Sequence, residues 1–111
     1  MKIKDMLYAL WKKVTDDTGW LSLNDYIKYR RKNGWVCINI DNLPKPTSSD
    51  IIGTLPEGFR PIDLYLQYFI RANSPSTTIA AWITPNGTIN VSRNDISSSA
   101  STVCGFMAFP V

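Results

Sequence analysis

Two Asn-Gly turns, each next to a segment of alternating apolar and polar residues, constrain the fold of this chain most strongly. Asn33-Gly34 precedes the alternating segment 35–40, and Asn86-Gly87 follows the segment 77–83. Asn-Gly is the strongest short hairpin signal because both positions tolerate a positive φ. Each turn therefore predicts an antiparallel β-hairpin.

Further strands are predicted where short apolar segments are bounded by turn residues. Segments 51–52, 64–70 and 102–109 have this pattern, and Pro- and Ser-rich loops separate them. Several short strands at such spacing are typical of an antiparallel sandwich or barrel. We therefore expect a mainly β head domain over residues 19–111.

The first 18 residues have a helical periodicity instead. Four apolar residues recur at a 4-3-4 spacing and share one face of a helix: Ile3, Leu7, Leu10 and Val14. A Gly-containing stop signal follows this stripe. The sequence predicts an amphipathic α-helix over residues 1–18.

The same spacing is also the a/d seam of a coiled coil. It covers only about two heptads, which is too short to hold helices together alone. Two interpretations remain at this point. The helix packs on its own head domain, or it is the end of an oligomeric stalk.

The absence of histidine restricts the chemistry of the chain. It excludes His-containing catalytic triads and His-ligated metal sites. Cys37 and Cys104 are too few for a four-cysteine zinc site within one chain, and buried free thiols are favoured over a disulfide. No phosphate loop or carboxylate dyad is recognisable. The sequence predicts no enzymatic activity, no metal and no cofactor.

Charge is concentrated near the N-terminus, since residues 1–33 carry a net +4 and the remainder a net −1. One interpretation is a nucleic-acid surface formed by a set of basic and aromatic residues: Tyr26, Lys28, Tyr29, Arg30 and Arg31. The other is a solvated strand edge, where cations discourage pairing with other chains. We favour the second interpretation and expect no nucleic-acid partner. No apolar run approaches the ~18 residues of a transmembrane helix, so we expect no membrane insertion.

Aromatic residues are the remaining candidates for function, with four Trp, five Tyr and four Phe. Aromatic rings stack on the apolar faces of sugars, although most rings in a chain of this size belong to its core. Trp82, Tyr65 and Arg71 alternate with core positions, and Asp63 lies close to Tyr65 in sequence as an acceptor for hydroxyl groups. These four residues are the candidate saccharide site.

Four segments also carry recognisable patterns in a fixed order. They are a Y-R-K-x-G-x-V-like hairpin at 26–38, an LPxGYRP-like turn at 51–61, an I-x-x-D/N-G-x-I-x-V-like hairpin at 82–91 and a terminal x-F-P-V at 106–111. Together with Gly19-Trp20, they resemble the C-terminal head domains of bacteriophage tail fibres and receptor-binding proteins. The chain departs from that pattern in its long Pro44–Asp50 loop and in its aromatic 65–69 strand.

The resemblance implies an antiparallel, jelly-roll-like β-sandwich that forms a homotrimer at the tip of a phage fibre or baseplate. It implies adhesion to a host cell-surface saccharide, contacts with other tail or baseplate proteins, and a place in the virion after assembly in the bacterial cytoplasm. The alternative is a purely structural trimerisation cap or connector, because a fold does not fix a function. The resemblance also favours the stalk interpretation of the helix.

Overall fold

A computed structural model of the chain describes residues 3–7, 16–62, 66–73 and 76–111. Residues 3–7 are helical, and eight antiparallel strands form a single curled sheet, so the predicted β class and short N-terminal helix are confirmed. A 3-10 turn at Arg93–Asp95 precedes the last strand. The strands are β1 (Leu21–Ser22), β2 (Ile27–Lys32), β3 (Trp35–Pro44), β4 (Ile51–Thr54), β5 (Leu66–Asn73), β6 (Thr77–Ile83), β7 (Thr88–Val91) and β8 (Thr102–Pro110).

Both Asn-Gly turns close hairpins, as the sequence predicts. Asn33 and Gly34 have φ values of 54° and 79° and join β2 to β3. Gly87 has a φ of 88°, and its N–H donates to the Thr84 carbonyl in the turn that joins β6 to β7. A positive φ is accessible to Gly and Asn at little cost, which explains why these residues occupy the turns.

The predicted sandwich of two sheets is not confirmed, because all eight strands belong to one sheet shaped as a half-barrel. The strand order is β1-β2-β3-β8-β5-β6-β7-β4. Its two halves join at β5 and β8, which pair over only three positions, from Arg71↔Cys104 to Asn73↔Thr102. Past those pairs the two strands no longer form a ladder, so the sheet bends there rather than splitting in two.

One hydrophobic core fills the inside of this bend. Alternate residues of the strands point inward from both halves of the sheet, as period-2 alternation requires. They form a single buried cluster together with Leu55 and Ala100 from the loops. Its largest fully buried members are Ile27, Val36, Ile38, Ile40, Leu55, Ile79, Ile83, Ile89, Val91, Val103, Met107 and Phe109.

A tight contact marks the point where β5 and β8 separate. A Cβ placed at Gly105 would lie 2.7 Å from the Cβ of Ile70, so only glycine fits beneath that side chain. Farther along the same two strands, the Tyr68 hydroxyl donates to the Ala108 carbonyl over 2.7 Å. Burial raises the pKa of the Tyr68 phenol above its ordinary value, because the charged phenolate is less well solvated there.

The helix predicted over residues 1–18 does not extend to its expected end. Asp17 forms an isolated β-bridge with Lys32, and the Thr18 N–H donates to the Arg31 carbonyl over 2.9 Å. Residues 16–18 therefore lie along β2 and belong with the sheet.

Ile3 and Leu7 of the predicted helix seam lie in the helical residues 3–7. Their side chains are 74% and 61% exposed. Leu10 and Val14, the other two seam positions, lie outside the described residues.

Gly105→Ala should destabilise the fold, because the added methyl would force Ile70 away from β8. We expect a loss of about 1–3 kcal/mol in the free energy of unfolding, measured by urea denaturation. Gly53→Ala is a matched control, since a Cβ there meets mainly the flexible end of the Leu23 side chain. Equal losses for the two variants would contradict a special role for Gly105.

Candidate functional site

An open groove lies on the outer face of the sheet, where the pairing of β5 with β8 ends. It has a volume of about 530 Å³. Its floor is formed at Gly105 and Ile70, the two residues of the tight contact. The side chains that line it come from β5, β6 and β8 and the turn before β6: Phe69, Arg71, Ser76, Thr77, Thr78 and Cys104.

Strand register brings these side chains together. Arg71 lies opposite Thr78 on β6 and opposite Cys104 on β8. Inward neighbours such as Ile70 and Ala72 are buried in the core. The side chains at odd-numbered positions of β5 must therefore point outward.

Two phenyl rings on this face are exposed to solvent. Phe69 on β5 is 71% exposed, and Phe106 on β8 is 59% exposed. Phe106 lies two positions beyond Cys104 on the same side of its strand, so both rings are on the outer face of the sheet. Exposed aromatic faces beside a concave surface are typical of binding sites rather than of a core.

Arg71 supplies the only formal charge among the groove residues. Its Nη2 donates to the Cys104 sulfur over 3.4 Å, and that sulfur also accepts from the Asn73 amide over 3.5 Å. Three hydroxyl-bearing residues also line the groove, Ser76, Thr77 and Thr78, and Thr78 lies directly opposite Arg71 on β6. This arrangement combines an apolar ring with several hydrogen-bonding groups, which is what a sugar ring with its hydroxyls requires.

The structure places one of the sequence-predicted site residues in the groove and another away from it. Arg71 lines the groove, whereas Trp82 lies on the outer face of β6 opposite Gln67, half-buried. Gln67 is four residues from Arg71 along β5, which corresponds to roughly 14 Å. Tyr65 and Asp63 lie outside the described residues.

Phe69 is a site residue that the sequence prediction missed. It alternates with Ile70 in the same way as Arg71, so the period-2 pattern alone places it on the outer face. The pattern does not predict that Cys104 and Gly105 join Phe69 in one groove, because the pairing of β5 with β8 joins segments about 30 residues apart.

The two arginines of β2 are paired with aspartates rather than available for nucleic acid. Arg30 donates from Nε and Nη2 to the Asp17 carboxylate over 2.9 and 2.6 Å, and Arg31 forms an ion pair with Asp16. Tyr29, which would have to stack on a base, is buried in the core. The contacts favour the solvated-edge interpretation.

Within the described ranges, no group of three or more Cys, Asp and Glu side chains is placed to hold a metal ion. Cys37 and Cys104 are free, half-buried thiols. None of the helical residues that the structure describes belongs to a helix long and apolar enough to cross a bilayer.

Comparison of the chain with protein-family models, with curated proteins and with solved structures finds no match.

The pair of Asp17 with Arg30 gives the fold a defined pH dependence. The hydrogen bond from Arg30, with a second from the Gly19 N–H, lowers the pKa of Asp17 from 3.8 to about 2. A lowered pKa in the folded state stabilises the protein above pH 4, and this stabilisation is lost as the pH falls towards 2. Asp17→Asn should therefore lower the melting temperature slightly at pH 7, and the difference from wild type should shrink between pH 4 and pH 2.

Arg30→Gln is the control for this prediction. It should lower the melting temperature at pH 7 by a similar amount, and the double variant should lose little more than either single one. A difference between wild type and Asp17→Asn that stays constant down to pH 2 would contradict the assignment.

Proposed function

We propose that this chain is a tip protein of a bacteriophage tail fibre or baseplate, a homotrimer that adheres to a saccharide on the host cell surface. The observation that carries the binding part of the proposal is the groove beside the β5–β8 junction. Phe69 offers an exposed ring there, Thr78 lies opposite Arg71, and Ser76 and Thr77 also line the groove. Such a surface matches a sugar ring, which is apolar on its faces and polar at its rim.

The resemblance to phage tail head domains supports the biological setting of the proposal. Three of the resembling segments coincide with hairpins or the closing strand, namely β2–β3, β6–β7 and β8. The fourth contains β4 and the turn after it, where Leu55 is buried in the core and the Arg60 Nε donates to the Leu55 carbonyl over 2.8 Å. The patterned residues therefore include turn and core positions that shape the head.

The exposed apolar side chains of residues 3–7 support assembly. Ile3 and Leu7 lie one turn apart on the same side of the helical segment, and both are mostly exposed within a single chain. Apolar side chains in such a row are typical of a seam that other subunits cover. This favours the stalk interpretation over packing of the helix on its own head.

A purely structural cap or connector is the second candidate, and the same helix favours it. A trimer seam at residues 3–7 requires no ligand, so it fits a subunit that only ends or joins other parts of the tail. The two candidates differ in one measurable property, which is whether a folded trimer binds glycans.

Light scattering of the purified chain should give a mass near three times 12.5 kDa. Leu7→Glu should shift that mass towards one subunit, because three carboxylates would then meet in the seam. Lys4→Gln is the matched control, since it changes the charge of the same helical segment by one unit at another exposed position. A monomer in the wild type would contradict the trimeric proposal.

Phe69→Ala should weaken glycan binding roughly 2- to 10-fold, through the loss of ring stacking on the sugar. The measurement is binding of the full chain to an array of bacterial surface glycans. Trp35→Ala is the control, because Trp35 is a half-exposed ring on the same face at the far end of β3.

Two outcomes of the array decide between the candidates. Failure of the folded wild-type trimer to bind any glycan would favour the structural cap. Equal losses for Phe69→Ala and Trp35→Ala would contradict the groove as the binding site, and Trp82→Ala on the same array tests the other aromatic candidate.

A further inference from the structure

We infer that the groove selects an anionic saccharide, with the Arg71 guanidinium binding a carboxylate or phosphate group of the sugar. The inference rests on the proposed function, since it names the class of ligand for the same groove. It is carried by the unusual surroundings of Arg71 within this chain.

Arg71 differs in its partner from the other four arginines, of which Arg60 donates from Nε to the Leu55 carbonyl over 2.8 Å. Three arginines each pair with an aspartate: Arg30 with Asp17, Arg31 with Asp16 and Arg93 with Asp50. Arg71 contacts the Cys104 sulfur instead, a weak acceptor, through a single nitrogen. Its remaining guanidinium nitrogens have no hydrogen-bond partner among the described residues. A guanidinium in this state keeps the planar fork that binds a carboxylate or a phosphate through two parallel hydrogen bonds.

The charge of the surrounding surface favours an anion as well. Lys28 points outward from β2 on the same face of the sheet. Five strands form this part of the sheet: β2, β3, β5, β6 and β8. Among their described residues, Asp41 at the bulge of β3 is the one carboxylate that points outward. It lies two strands from Arg71, about 10 Å in backbone spacing, and forms no ion pair with it. An approaching anion therefore meets a net positive surface.

The other groove residues explain why the anion would be a sugar rather than an isolated ion. A bare phosphate would use Arg71 and leave the exposed Phe69 ring without a function. A charged saccharide uses both, because its ring covers Phe69 while its acidic group reaches the guanidinium. Ser76 and Thr78, on either side of Thr77, are placed to accept or donate to the remaining hydroxyls.

The test uses the full-length chain and purified bacterial cell walls in three forms. One form is untreated, one has its carboxylates amidated with a carbodiimide, and one has its phosphodiester-linked polymers removed with hydrofluoric acid. We expect wild-type protein to bind untreated walls and to lose binding after one of the two treatments. Loss after amidation identifies a carboxylate, and loss after hydrofluoric acid identifies a phosphate.

Variants assign the effect to Arg71. Arg71→Gln should weaken binding to untreated walls on the order of tenfold, because a hydrogen-bonded charge pair is lost. Arg71→Lys should bind more tightly than Arg71→Gln but less tightly than wild type, since a lysine keeps the positive charge without the planar fork.

Lys32→Gln is the matched control. It removes one positive charge from the same face of the sheet, about 20 Å from Arg71 along the strands, and should change binding less than twofold. Asp41→Asn should leave binding equal or tighter. Thermal unfolding of each variant checks that the fold is intact.

The failure of this inference differs from the failure of the proposed function. If the wild type binds all three forms of wall equally, or if Arg71→Gln binds as wild type does, the anionic class is wrong while saccharide adhesion stands. If the folded wild type binds no wall, both proposals are overturned.

Discussion

The close approach of Ile70 to Gly105 is the constraint on which the rest of this structure depends. It lies where β5 and β8 stop pairing, and those two strands are the only link between the halves of the described sheet. A side chain at residue 105 would separate the strands and remove the bend that encloses the core. The hydrogen bond from Tyr68 to Ala108 ties the same strands where their ladder has already ended. Core closure thus depends on the small size of Gly105 and on the hydrogen bond that Tyr68 donates across the two strands.

The same contact creates the groove. Because β5 alternates, burying Ile70 and Ala72 inside the bend turns Phe69 and Arg71 to its outer side. The end of the β5–β8 ladder leaves a depression between those side chains and Cys104. The groove side chains of β5, β6 and β8 are therefore held on paired strands whose inner faces are packed, which fixes their geometry better than a loop would. A substitution that disturbs the junction would alter both the stability of the fold and the shape of the groove.

Local signals predicted the parts of the fold that depend on local geometry. The Asn33-Gly34 turn is specified by two residues that accept a positive φ, so its hairpin follows from the sequence alone. The half-barrel depends instead on Arg71 pairing with Cys104, residues whose encounter no short pattern encodes. A sandwich and a half-barrel have the same alternation along each strand, which is why the sequence did not distinguish them.

The site was predicted in part for the same reason. Alternation correctly placed Arg71 and Trp82 on outward positions, but the register of β5 with β6 sets Trp82 opposite Gln67, far from Arg71.

The predicted C-terminal end of the helix was wrong because of a different long-range interaction. The sequence pattern around Asp16 and Asp17 predicted the end of a helix. In the structure, the Asp16 carboxylate pairs with Arg31 and the Asp17 carboxylate pairs with Arg30, and these ion pairs hold the segment along β2.

Two exposed apolar surfaces of the chain differ in their surroundings, and this difference connects assembly with adhesion. Ile3 and Leu7 repeat along one side of a helical segment, a pattern that suits identical neighbours in a bundle. Phe69 instead lies beside a guanidinium and several hydroxyls, and close packing against a protein would leave these groups without hydrogen bonds. A ligand that is itself apolar on one side and polar on the other avoids that cost. In the trimeric tip protein that we propose, the helix would face other subunits and the groove would remain open, so the trimer would present three such grooves. Weak binding at each groove would then combine into firm adhesion to a repetitive surface.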